Sequence, residues 1–309
     1  MNIVIYGTGG VGGYFGARLE QAGNNVTFIA RGEHLNAIKK KGLLLKSIKG
    51  NHLVYPVKAT SNISDITNID LVLICVKSWQ LEEAALHIKT ILKADTMVIP
   101  LLNGVNNDAL LCSILNKNNV LGGLSKIVSR IKDFGVIEHL SYEPTIVFGE
   151  LNFKRTERAI QLEHIFSSAG IKTKLSNNIE CDIWSKFLYI VTISGMGALT
   201  RSSVGAMLAS EHIKILLYKT AEEIVRVARA KGVQLPEDII EKQFRIIESQ
   251  PFDTTSSLQR DFMEGRPSEL ESQNGTIVRL GDELGIPTPI NSFIYYCLLP
   301  QETKTRNLG

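Results

Sequence analysis

Asn2–Gly16, reading NIVIYGTGGVGGYFG, is the stretch that decides how the rest of the chain is read. Ile3, Val4, Ile5 and Tyr6 make an apolar run too short and too bulky at Cβ for a helix, so they predict a strand. Gly7, Thr8, Gly9, Gly10, Val11 and Gly12 follow at once in the order G-x-G-x-x-G. Gly7 allows a tight turn, Gly9 lets backbone N–H groups approach a pyrophosphate, and Gly12 lets the next helix pack closely on the strand. The helix is expected over Val11–Ala22, stopped by Gly23. Its N-terminus, with unpaired N–H groups and the positive end of the macrodipole, favours an anion. Gly7, Thr8, Gly9, Gly10, Val11 and Gly12 are therefore candidate dinucleotide-binding residues.

Length and composition set the frame around that motif. A chain of 309 residues is expected to form two domains of ordinary size. It is 44% hydrophobic and 21% charged, which describes a soluble globular protein. Lys+Arg 34 against Asp+Glu 31 leaves only +3, so neither a nucleic-acid nor a membrane surface is indicated. Cys75, Cys112, Cys181 and Cys297 are scattered and no signal peptide precedes the first strand, which predicts a cytoplasmic protein. The six histidines show no metal-ligand spacing, so no metal is expected.

Asn25–Ala30 reads as the second strand, and the residue closing it is Arg31. In NAD-binding folds that place usually holds an acid for the ribose hydroxyls. A carboxylate would repel a 2′-phosphate, whereas a guanidinium can hold it through paired, charge-assisted hydrogen bonds. Arg31 thus argues for NADP(H), the competing reading being a solvated surface arginine. Leu43–Ile48 and Leu53–Val57 read as a hairpin, and Ile69–Val76 and Thr96–Leu102 as strands buried on both faces. The last two end in Lys77 and Asn103. Ligands of doubly wound sheets bind beyond the carboxyl ends of the strands, so Arg31, Lys77 and Asn103 converge on one crevice.

Val120–Arg130, Gly135–Leu140 and Thr145–Gly149 are expected as three further strands, followed by a helix from about Lys154 to Ala169 and a strand Ile171–Leu175. From Ile179 onward the pattern is helical, with the boundary near Ser176–Asn178. The expected architecture is α/β: a Rossmann-type doubly wound domain over residues 1–176, then an all-helical domain over 177–309. Within the apolar helix Ile183–Leu199 a single charge stands, Lys186. A lysine among apolar neighbours loses hydration in its charged form and becomes a proton donor near neutral pH, unless its stem packs while the ammonium reaches water. Farther on, Ser268 with Glu271 fits a helix capping box, which accounts for Glu271 and leaves Glu269 less explained.

Taken together, the glycine loop, Arg31, Val76-Lys77-Ser78-Trp79-Gln80, Asn103-Gly104, Trp184-Ser185-Lys186, Ser256-Ser257 through Asp261, Glu269 and Asn274-Gly275 resemble the ketopantoate reductase (2-dehydropantoate 2-reductase) family over nearly the whole chain. The resemblance implies NADPH in a cleft between the two domains and reduction of a small 2-keto acid, with a place in pantothenate biosynthesis. It implies that Lys186 donates a proton to the substrate carbonyl oxygen, that Glu269 supports the site, that Ser257 holds substrate, and that Asn103 lies beside nicotinamide and substrate. A homodimer is left open.

The match has a gap. Where the family carries asparagines one and two turns after the lysine and again just after that helix, this chain has Ile190, Ser194 and Val204. Lys186, Ile190 and Ser194 fall on one helical face, so the last two are candidate substrate contacts, and Arg201 could anchor a carboxylate. A more apolar 2-keto acid is thus an alternative substrate. Other readings are a relative of the 6-phosphogluconate or 3-hydroxyacyl-CoA dehydrogenases and a non-catalytic NADP(H)-binding regulator. Retention of both Lys186 and Glu269 speaks against these.

Overall fold

The computed structural model describes residues 1–307, and the chain divides into two compact units. The first comprises Met1–Leu102 and Asn106–Ile179. In order it contains β1 (Asn2–Tyr6), α1 (Gly10–Gln21), β2 (Asn25–Ile29), α2 (Gly32–Lys41), β3 (Leu43–Ser47), β4 (His52–Val54), β5 (Lys58–Thr60), β6 (Leu71–Ile74), α3 (Leu81–Lys89) and β7 (Met97–Pro100). It continues through α4 (Asn107–Ile114), β8 (Leu121–Asp133), β9 (Val136–Glu150), α5 (Glu157–Ser168) and β10 (Lys172–Leu175).

Five strands form a parallel sheet in the order β5-β2-β1-β6-β7, with β1 at its centre. Its strands read as continuous apolar runs because both faces are covered. Ile3 and Ile5 of β1 point into one core and Val4 and Tyr6 into the other, the period-two alternation of a strand. The Val4 face packs on Leu81, Ala84, Ala85 and Ile88 of α3 and on Leu111 of α4. The Ile5 face packs on Tyr14, Phe15 and Leu19 of α1 and on Leu35 and Ile38 of α2.

Beyond α1 lies a second sheet, ordered β10-β9-β3-β4, with β8 added alongside β9. Helix α1 is therefore held between two sheets, and its glycines explain how it fits. A Cβ at Gly16 would lie 2.4 Å from the Phe28 ring on the first sheet, and one at Gly13 would lie 2.5 Å from the Ile137 side chain on the second. Neither distance is tolerated by real side chains, so both contacts require glycine.

The expected strands Gly135–Leu140 and Thr145–Gly149 are one element, β9, paired antiparallel with β8. Their separation in the sequence reflects an irregularity in the ladder: pairing passes from Val128↔Ser141 to Lys126↔Thr145, with Tyr142 at φ 67° and Pro144 falling in the interruption. Proline has no N–H to give a ladder, so the strand bulges there and resumes. At its end Glu150, 4% exposed, accepts from both Nε and Nη2 of Arg158 (2.7 and 2.6 Å) and from the Thr156 hydroxyl, tying β9 to the start of α5.

The second unit comprises Glu180–Gly309 together with Asn103–Val105, the segment directly after Leu102. The sequence placed the division near Ser176–Asn178 and gave no sign of this excursion, in which Val105 joins the helical core. The unit holds α6 (Ile179–Thr200), α7 (Val204–Ala209), α8 (Glu211–Ala230), α9 (Ile239–Glu248), α10 (Ser257–Met263), α11 (Asn274–Leu284) and α12 (Pro289–Asn307). By length and composition α6 could cross a membrane, yet 61% of its apolar window is buried inside the fold. Trp184, Phe187, Leu188, Val191 and Met196 are the buried side chains that require this composition. Buried Glu223 of α8 accepts the N–H groups of Ile290 and Asn291, both at 2.9 Å, and so satisfies the first turn of α12 with a charge of the sign that end favours.

Candidate active site: a glycine loop and a lysine–asparagine–glutamate set

In the first unit, β1 runs into Gly7 at φ 102°, a conformation only glycine adopts readily, and a Cβ there would meet Val76 at 2.8 Å. Gly9 caps α1 with no side-chain hydrogen bond and no acidic residue in the first turn, and nothing lies within 4 Å of where its Cβ would stand. Gly12 is the reverse case: a Cβ would lie 2.1 Å from the Gly7 carbonyl oxygen and 2.8 Å from Ile5. A bare backbone at Gly9, open space above it and an uncapped helix start fit a pyrophosphate. A Cβ at Gly10 would instead meet the Ser129 carbonyl at 2.5 Å, so this glycine serves the contact with β8, while Val11 packs against the core. Thr8 has a different task from donation to a ligand. Its N–H and its hydroxyl both go to the Ile29 carbonyl (3.0 and 2.9 Å), fastening the loop to β2.

Arg31 stands at the start of α2, exposed, with Nη2 2.6 Å from Oε1 of Glu83 in the first turn of α3. That hydrogen bond raises the Arg31 pKa and lowers that of Glu83, so both are charged at neutral pH. Beside them the Tyr6 hydroxyl meets Nδ1 of His87 at 2.8 Å, and burial pushes the phenol pKa up. Lys77 follows β6, half-buried, its ammonium 5.8 Å from the centre of the Trp79 ring.

In the second unit, the Lys186 ammonium donates to Oδ1 of Asn103 at 2.9 Å, and Nδ2 of Asn103 donates to Oε2 of Glu269 at 3.0 Å. The orientation of this amide is fixed by chemistry: an ammonium can only donate and a carboxylate can only accept. Lys186 is half-buried on α6, and Glu269 is 5% exposed in the turn between α10 and α11. Ser268 holds that turn. It is fully buried, gives its N–H and hydroxyl to the Glu302 carboxylate, and accepts at its carbonyl from Nη2 of Arg306 at 2.7 Å. The expected capping box is therefore absent: Ser268 is engaged by Glu302, α11 begins only at Asn274, and Glu271 binds Arg279 and the Tyr295 hydroxyl.

The remaining candidates are spread over the same unit. Ile190 is half-buried one turn beyond Lys186, and Ser194, a turn further, is completely buried with its hydroxyl unpartnered among the described residues. Val204 is buried at the start of α7, and Arg201 is exposed at φ 54° just past α6. Ser257 is exposed as the first residue of α10, whose cap is its neighbour Ser256. Sequence reading passed over Glu83 and Glu302. Glu82-Glu83 looks like ordinary acidic dressing of a helix start, and the only hint at Glu302 is its spacing of four from Arg306.

Comparison with known proteins bears on the whole chain. Residues 3–152 match the model of the family "Ketopantoate reductase PanE/ApbA", and residues 178–302 match that of its C-terminal domain. An uncharacterized oxidoreductase, YkpB, of Bacillus subtilis (strain 168) is 33% identical over 98% of this chain and 100% of its own length. A 2-dehydropantoate 2-reductase of Nostoc sp. is 27% identical over 95% of this chain and 93% of its own. The crystal structure of a PanE/ApbA family ketopantoate reductase from Ralstonia eutropha JMP134 superposes with a TM-score of 0.91, at 33% identity, covering 99% of this chain and 100% of that one. With both of its units matched, the chain belongs to the ketopantoate reductase family of oxidoreductases.

Proposed function

We propose that the protein reduces a small 2-keto acid to the 2-hydroxy acid with NADPH, 2-dehydropantoate being the first candidate, in the cytoplasm. The observation that carries this reading is the Asn103 amide joined to the Lys186 ammonium on one side and the Glu269 carboxylate on the other. A bound NADPH would supply the hydride, which is delivered to the keto carbon. As that carbon accepts two electrons, negative charge grows on its oxygen, and the ammonium of Lys186 both stabilises the charge and gives up the proton that completes the alcohol. Asn103 accepts one of the three ammonium hydrogens and so restricts the direction of the others. Glu269 holds Asn103 in that orientation by accepting from its Nδ2 at 3.0 Å.

The loop Gly7–Gly12 would hold the pyrophosphate, and Arg31 with Lys77 would favour the 2′-phosphate. Ile190 supports a second substrate reading, a 2-keto acid more apolar than ketopantoate. NADPH oxidation followed by absorbance against a panel of 2-keto acids that includes ketopantoate tests the assignment. Reduction of at least one is expected, and a protein that binds NADPH but reduces none of them would refute it.

A further inference from the structure

The residue closing β2 is a base, and the acid that NAD-binding folds usually place there arrives from elsewhere: Glu83, on α3, sits on the Arg31 guanidinium at 2.6 Å. Both side chains are about half exposed, at 56% and 46%, so both can turn toward a ligand. The charged groups facing Arg31 are Glu83 and, less directly, the Tyr6 phenol, which burial keeps neutral. Among the described residues, His87 one turn along α3 also faces Glu83.

Resting on the reading of this unit as a dinucleotide site, we propose that Glu83 is a specificity-determining residue that narrows the preference for NADPH over NADH. A 2′-phosphate can use the guanidinium only by displacing the Glu83 carboxylate or by lying beside it, and either course weakens the gain from Arg31. A cofactor with a free 2′-hydroxyl meets no such competition. It finds in Glu83 an acceptor of the kind that usually closes the second strand. The pair is thus two-sided, with the base serving the phosphate and the acid serving the diol.

The test is the dissociation constant of each reduced cofactor, read by nicotinamide fluorescence on the whole chain without substrate, for the natural protein, Glu83→Gln, Arg31→Ala and the double variant. Glu83→Gln should bind NADPH about two- to fivefold more tightly, the span of an exposed ion pair, and NADH no more tightly. The gain should vanish in the Arg31→Ala background and shrink at high salt. Weaker NADPH binding by Glu83→Gln, an equal gain for both cofactors, no change, or a gain that persists without Arg31 would each overturn the inference. Any of those results in a protein that binds NADPH leaves the reductase reading standing, whereas a natural protein that binds neither cofactor removes both.

Discussion

Oδ1 of Asn103 receives the Lys186 ammonium at 2.9 Å, although 83 residues separate the two in the chain. If the ammonium is the proton donor, Lys186→Ala should lower kcat by roughly 10²–10⁴ while NADPH binding changes little. Asn103→Ala leaves the lysine in place but unheld, and should lower kcat by a smaller factor, about tenfold to a hundredfold. Single-turnover kinetics on the best substrate from the panel, with cofactor affinity measured alongside, separates the two effects. A Lys186→Ala variant that keeps near-normal turnover would assign the proton to another group.

Ile190 meets whatever lies one helical turn beyond Lys186 on the same face of α6. Burying the hydroxyl of ketopantoate against it without a partner costs about 1–3 kcal/mol. Ile190→Asn should therefore raise kcat/KM for ketopantoate relative to an analogue lacking that hydroxyl. A natural protein that already strongly prefers ketopantoate, and gains nothing from the asparagine, would show that other groups hold the hydroxyl.

Glu302 is joined to the turn that carries Glu269 by Ser268, whose N–H it accepts at 3.1 and 3.2 Å and whose hydroxyl it accepts at 2.7 Å. Glu302→Gln turns one of those acceptors into a donor facing an N–H, a mismatch worth about 1–3 kcal/mol of stability. Because Glu269 is the next residue, kcat should fall along with the melting temperature while the KM for NADPH stays put. A loss of stability at unchanged kcat would confine Glu302 to holding the fold together.

The Glu150 carboxyl is nearly buried, which by itself would raise its pKa, but the hydrogen bonds from Arg158 and Thr156 prevail and hold it below the ordinary carboxylate value. A depressed folded-state pKa means that the stability contributed is complete above the unfolded value of about 4.3 and is lost as pH falls through the folded one. Glu150→Gln should therefore show a shallower loss of stability on acidification than the natural protein in denaturant titrations. Parallel acid limbs for the two proteins would assign the acid sensitivity to other carboxylates.

How much of this was legible in the sequence depends on the range over which the cause acts. Gly7 and Gly12 could be read because their reasons lie within a few residues, in a turn and in a helix packed on its own strand. Gly13 and Gly16 sit in the same quoted stretch. Gly16 packs on neighbouring β2, whereas Gly13 packs on Ile137, and no local pattern says that a strand 124 residues away will lie there. The second sheet escaped notice for the same reason, since β3 pairs with β9 through Leu44↔Val136 and strand partners are not written into either segment. Lys186 and Glu269 stood out as residue types in unusual company. Ser268 was misread because its main partner, Glu302, is 34 residues on, while its hydroxyl oxygen still accepts the nearby Leu270 N–H at 3.2 Å as a cap would.

The excursion of Asn103–Val105 makes the helical unit discontinuous in the gene. A fragment starting after residue 176 would encode Lys186 and Glu269 but not the amide that joins them, so this unit cannot be exchanged between relatives as a single cassette with its polar set complete. Recombination that cuts between the two halves of the coding sequence separates Asn103 from its partners, which ties the evolution of Lys186 and Glu269 to that of the loop after β7.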